Sequence, residues 1–190
     1  VIGLSSFGFY LCKSLSDSGV QVMAIDNNED KIEAVKGFVR KAVVADAKDR
    51  ETLKNLQINE FDAVVISVGE EIDVSVLVTL HLRELGVKEI FAKATTEEHA
   101  KILNILGVSE TIFPERDIAQ RFAHTLRRRS FLEYFSIGDD YSVLEMAPPY
   151  TWLGKTISEI NMRNNFNVQI IIIKELVPEN IVMLPTGDHV

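Results

Sequence analysis

Gly3, Ser5 and Gly8 stand two and three residues apart in the stretch GLSSFG, and Asp26 ends a later apolar run, 18 residues beyond Gly8. Glycines at this spacing let a backbone turn tightly, approach a pyrophosphate and pack a helix close against a strand. An acid about 20 residues on accepts hydrogen bonds from ribose hydroxyls and disfavours a 2′-phosphate. The chemistry on offer is therefore nucleotide recognition. Ser5 stands where the pattern G-x-G-x-x-G has its middle glycine. Its Cβ crowds an approaching pyrophosphate, while its hydroxyl can donate to phosphate. Two readings stay open on these residues: a working nucleotide site, or a vestigial turn kept by the fold.

Such a turn serves a ligand only between the end of a strand and the start of a helix, where free N–H groups and the helix dipole favour anions. The surrounding sequence supplies both. VIG closes a strand, FYLCKSLSDSG opens a helix, and VQVMAID (20–26), KAVVAD (41–46), DAVVISVG (62–69), EIFAKA (89–94) and ETIFP (110–114) are short β-branched runs. Helical patterns lie between them, marked by Ile32, Val35 and Phe38, by Leu53 and Leu56, and by Ile102, Leu103 and Leu106. Gly19, Gly86 and Gly107 follow these patterns, where a left-handed cap is wanted. Strict βα alternation predicts an α/β fold with a doubly wound, Rossmann-like parallel sheet.

From Pro114 the pattern changes. ERDIAQRFAHTLRRRSFLEYF (115–135) reads as one long amphipathic crossover helix, with Ile118, Phe122, Leu126 and Phe131 as an apolar stripe for the core or for a neighbouring subunit. Beyond it YSVLEMA, KTISEI, VQIIIIKE and NIVMLP read as strand, helix, strand and strand, with Trp152 as an anchor. The expected division is a nucleotide-binding domain over 1–136, crossover helix included, and a small α+β domain over 137–190. The abrupt opening and the final GDHV lead to the expectation that both the first strand and the second domain are cut short.

Twenty lysines and arginines against 28 acids leave a net charge of −8, the opposite of a nucleic-acid footprint. Arg127, Arg128 and Arg129 on a helix span nearly a turn and read as surface or interface charges. The longest strongly apolar run, VQIIIIK, is far short of the ~20 residues that cross a bilayer. One cysteine, Cys12, forms no internal disulfide and reads as a packed thiol. His81, His99, His124 and His189 have no zinc-ligand spacing. No histidine ends a predicted strand and no Tyr-x-x-x-Lys occurs, so the acid–base group of a dehydrogenase is not in view. Binding without turnover fits better than the alternative, an NAD-dependent oxidoreductase. A nucleotide-sensing repressor would need a basic DNA-reading domain.

The chain resembles the RCK family, the KtrA- and TrkA-like regulatory subunits of bacterial potassium uptake. VIGLSSFG is similar to the family's VIGLGRFG-like opening, and AIDNNEDKI to its acidic strand end. ADAKDRETL, DAVVISVGEEIDVSVLVTLHLRELGV, IFAKA and IFPERDIAQRFA are similar to its later blocks, and WLGKTISEINMR to a segment of its C-terminal module. The resemblance implies a cytoplasmic, non-enzymatic gating subunit, peripheral to the inner face of the plasma membrane. Its dimers would assemble into an octameric ring, of one or two subunit types, under a membrane potassium-channel subunit. It implies an adenine nucleotide, NAD/NADH or ADP/ATP, held by Gly3, Ser5, Ser6, Gly8 and Asp26, with Asp46 and Lys93 near the base or phosphates. Glu115 matches a family glutamate that helps hold a divalent or monovalent cation, and equally fits a first-turn helix acid. Met162, Arg163, Gln169 and Pro185 fall where the family's second domain binds cyclic di-AMP, although Arg163 also fits a solvated helix-end charge. Ser6 departs from the family's arginine and removes a strong phosphate contact, which leaves ATP-over-ADP sensing open.

Overall fold

The computed structural model describes residues 1–69, 71–127, 131–137, 141–176 and 179–189. It parts into two compact units, Val1–Gln120 and Arg121–Val190.

In the first unit, helices α1 (Ser6–Asp17), α2 (Glu29–Val35), α3 (Arg50–Asn55), α4 (Ile72–Glu84) and α5 (Glu97–Ile105) alternate with strands β1 (Met23–Asp26), β2 (Lys41–Val44), β3 (Ala63–Ile66), β4 (Glu89–Lys93) and β5 (Glu110–Ile112). β1 pairs with β2, and β3, β4 and β5 pair in that order, all in parallel. Ile2 bridges Ile25 on one side and Ile66 on the other. The opening residues are thus the central strand, and the order runs β2-β1-Ile2-β3-β4-β5. Strand order reverses at Ile2, which is where a doubly wound sheet opens a crevice for ligands. The expected α/β parallel fold is present, with each strand trimmed at its ends.

Local chemistry fixes the helix starts. Ser5, Asn28, Asp49 and Thr96 each accept a backbone N–H from the first turn of α1, α2, α3 and α5. Gly19, Gly86 and Gly107 take φ of +81°, +82° and +86°, as the capping pattern predicts. Alternation along β1 sorts the core onto two faces. Met23 and Ile25 pack with Leu53, Val78, Leu82 and Leu103, while Ala24 packs with Leu4, Cys12, Ile32 and Val35. Cys12 is fully buried, and burial pushes its thiol pKa up, away from reactive thiolate.

The long-helix expectation needs correction. Helix α6 covers Pro114–Arg127, and β6 (Phe131–Ile137) follows it as a strand paired antiparallel with β7 (Tyr141–Met146). The stretch FLEYFSI is dense in aromatic and β-favouring residues, and hairpin pairing outweighs the helical spacing. Phe131 therefore leaves the apolar stripe, and Arg128 and Arg129 lie outside the described residues. The stripe's helical members, Ile118, Phe122 and Leu126, are exposed. Residue 136 falls inside β6.

The second unit also holds α7 (Ile157–Ile160), α8 (Met162–Phe166) and the hairpin β8 (Ile172–Leu176) with β9 (Glu179–Met183). Thr156 and Glu159 form a reciprocal capping box on α7. The tail then docks on that helix start: Ile157 N–H donates to His189 O and Ser158 N–H to Gly187 O. Trp152 is half-buried and tilts against Phe166, 5.4 Å between ring centres.

Candidate functional site

The turn at residues 3–8 is built around close backbone contacts. Gly3 has φ of +87°, and a Cβ there would lie 2.6 Å from Ser67 O. A Cβ on Gly8 would lie 2.2 Å from Gly3 O. Both glycines are demanded by packing, whatever binds above them. Ser5 Oγ lies 2.6 Å from Ser67 Oγ and accepts the Gly8 N–H at 3.5 Å. The serine hydroxyl thus caps α1 and ties the turn to the end of β3, where the sequence alone offers it to a phosphate.

Asp26 closes the opposite wall. It is 8% exposed, and its two carboxylate oxygens accept Leu4 N–H at 2.6 Å and Asn28 N–H at 2.9 Å. The Lys31 ammonium lies 3.6 Å away. A carboxylate so placed keeps further lone pairs for hydroxyl donors, because two N–H bonds use about half of its roughly four acceptor positions. Asp46 is exposed, accepts Lys48 N–H at 2.9 Å and faces the Lys48 ammonium at 3.8 Å.

Gly3, Ser5, Asp26 and Asp46 line one open cleft at the sheet's reversal point. Ser6 is exposed at the first position of α1 and lies outside the lining, as does Gly8, which sits beneath it. Ser67, Lys31, Lys48 and Glu71 line the cleft and were not singled out from sequence. Ser67 had a signal, being a hydroxyl inside the apolar run 62–69, directly after the residues that form β3. The lysines had none, since a solvated charge looks the same in a sequence. This lining suits a nucleotide: hydroxyls and free N–H groups at the helix start, two ammoniums for phosphate charge, and a buried carboxylate for a ribose.

Lys93 and Glu115 lie outside the cleft lining and pair with each other. The Lys93 side chain is 11% exposed and that of Glu115 70%. The hydrogen bond from Lys93 holds the Glu115 carboxyl below its ordinary value of 4.5. Because the folded value is depressed, the pair stabilises the protein above the ordinary glutamate range, and this is lost as pH falls through the lower folded value. An NMR titration of the Glu115 side-chain carbon should give a midpoint below that of free glutamate. The midpoint should return upward in Lys93→Met, and no movement there would remove the pair as its cause. Among the described residues no three His, Cys, Asp or Glu side chains cluster as a metal site. Glu115 alone is a single carboxylate already sharing a proton donor, which does not by itself build a cation site.

In the second unit, Arg163 Nη2 donates to Gln169 Oε1 at 2.6 Å, so two of the four residues named there meet. Met162 is buried at 8%, and Pro185 is half-buried beside Leu184, whose φ is +49°.

The TrkA-N domain family model matches residues 1–114. Ktr system potassium uptake protein C of Bacillus subtilis (strain 168) is 38% identical over 174 residues, which are 92% of this chain and 79% of that protein. Ktr system potassium uptake protein A of Vibrio alginolyticus is 36% identical over 171 residues, 90% of this chain and 78% of that protein. Among solved structures, the GsuK channel bound to NAD superposes with a TM-score of 0.67 at 18% identity, over 99% of this chain and 34% of that one. That likeness shows a shared fold.

Proposed function

Because the chain belongs to the TrkA-N family, alongside the Ktr potassium uptake proteins, we propose that it is the nucleotide-responsive regulatory subunit of a bacterial potassium uptake system. The observation that carries this reading is the cleft itself: a buried acid at a strand end faces a tight glycine turn and a helix start, within a chain 38% identical to a potassium uptake protein. The ligand is an adenine nucleotide, NAD/NADH or ADP/ATP, with its ribose on Asp26 and its phosphates toward the start of α1. Gly3, Ser5, Ser6 and Gly8 form the turn beneath it, and Asp46 and Lys93 are reached by its base or phosphates. The name of the NAD-bound channel supports this ligand class. The uptake relatives favour the regulatory reading over the dehydrogenase.

Residues 1–136 act as the nucleotide domain and 137–190 as a second sensor. There Met162, Arg163, Gln169 and Pro185 take cyclic di-AMP, and Arg163, held by Gln169, faces phosphate. Dimers assemble into an octameric ring at the inner face of the plasma membrane and bias a membrane potassium-channel subunit. Glu115 contributes to a cation site completed by a neighbouring subunit. Nucleotide gates the pore only to the extent that it binds two ring states with different affinity.

The test is the thermal stability of the protein with ATP, ADP, AMP, NAD, NADH and cyclic di-AMP. A ligand that binds only the native state stabilises it by about 2.7 kcal/mol at a hundredfold excess over its Kd. The expected result is a shift with at least one adenine nucleotide. A shift with cyclic di-AMP alone would move the switch to the second unit, and no shift at all would overturn the nucleotide reading.

A further inference from the structure

His99, at the start of α5, is 2% exposed, and both of its ring nitrogens are engaged. Nε2 lies 2.5 Å from Ser75 Oγ, and Nδ1 faces Thr95 N at 3.3 Å and Thr95 Oγ1 at 3.3 Å. These contacts assign the tautomer. Ser75 Oγ donates its own proton to Ile72 O at 3.0 Å, so the proton between Ser75 and the ring belongs to Nε2. Nδ1 must then be the acceptor, because a backbone N–H points at it.

Ser75 lies in the first turn of α4, and Thr79 Oγ1 donates to Ser75 O from the next turn. That first turn carries Glu71 and Val74 into the cleft lining. His99 therefore reaches from α5 to the end of α4 that walls the cleft. We propose that His99 is a positioning residue operated by protons: neutral, it clamps the first turn of α4 to the start of α5, and protonated, it lets that turn go.

The physical reason is a donor facing a donor. An imidazolium carries N–H on both nitrogens, so protonation sets Nδ1–H against Thr95 N–H while also placing a charge in a buried site. The groups facing the ring are Ser75 from α4 and Thr95 from the β4–α5 turn. The other titratable residues on these elements are exposed, Glu71, Asp73, Arg83 and Glu84 at the start of and along α4 and Glu97, Glu98 and Lys101 on α5, apart from His81 on α4, which is half-buried. Lys93 on β4 is turned to Glu115. Among the described residues no carboxylate contact compensates the imidazolium, and burial holds the His99 pKa below its ordinary 6.5.

Folding and clamping favour the neutral ring. Their contribution is complete above pH 6.5 and is lost as pH falls from there toward the lower folded value. In that window the open form binds one more proton, so the opening equilibrium rises up to tenfold for each pH unit. The experiment follows amide hydrogen exchange of residues 75–78, corrected for the intrinsic pH dependence of exchange, at pH 7.5 and 5.5. Wild type should lose protection, by at most about tenfold per pH unit below 6.5, and His99→Gln, which carries no titrating ring, should lose none. Equal pH dependence in both proteins would overturn the proposal. If His99→Gln does not fold, the His99 ring titrated by NMR in wild type decides: protection at 75–78 should fall with increasing ring protonation, and unchanged protection overturns the clamp. The same proteins assayed for adenine-nucleotide affinity test the link to the cleft, which rests on the proposed function. Loss of binding at every pH would remove that function and leave the exchange result standing.

Discussion

Gly3→Ala is expected to destabilise the first unit by about 2–5 kcal/mol, lowering the urea midpoint without changing the slope. Two costs combine. A left-handed backbone angle of +87° costs an L side chain about 1–2 kcal/mol. The new Cβ also meets Ser67 O at 2.6 Å, and both partners are backbone at the centre of the sheet, where forced repacking costs about 1–3 kcal/mol. Gly19→Ala is the internal control. Its φ is +81° but nothing lies within 4 Å of the added carbon, so only the first cost applies. If the two variants have the same midpoint, the close approach of the turn to β3 is not what requires glycine at position 3.

The same contrast explains what the sequence could and could not convey. The order of strands and helices was legible because buried parallel strands are continuous apolar runs and the helices between them carry caps such as Asn28, Asp49 and Thr96. Gly3, Ser5 and Asp26 were legible as neighbours because a doubly wound fold brings the ends of the first strands together, whereas Asp46, which lines the same cleft, was named only through the resemblance to the RCK family. Ser5 shows the limit. Its residue type announced a hydroxyl at the turn, but its partner Ser67 is 62 residues away, and only the fold reveals that the hydroxyl is occupied. The clamp at His99 was hidden for a similar reason, since Ser75 lies 24 residues earlier on another helix. At the end of α6 the spacing misled. Apolar residues every three to five positions fit a helix, but FLEYFSI has a hairpin partner in Tyr141–Met146, and a non-local pairing is invisible to a local period.

Asp26→Ala should weaken adenine-nucleotide binding by about 10²–10⁴-fold, the largest functional effect of any single change in the cleft. Each hydrogen bond to a charged acceptor is worth about 1.5–3 kcal/mol, and a ribose presents two hydroxyls to the carboxylate. The substitution also strips the acceptor from Leu4 N–H and Asn28 N–H, which costs about 1–3 kcal/mol of stability for a buried donor left unpaired. Affinity must therefore be measured by calorimetry at a temperature where each variant is folded, with its ligand-free unfolding curve beside it. Asp46→Ala separates the two roles. Asp46 is exposed and bonded only within its own turn, so its removal leaves the fold intact and costs affinity only through contact with the ligand. A folded Asp26→Ala protein that binds nucleotide as tightly as wild type would assign Asp26 to holding Leu4 and Asn28 alone. The turn beside it would then be a structural element of the sheet, and the signal that this subunit reads would have to enter elsewhere.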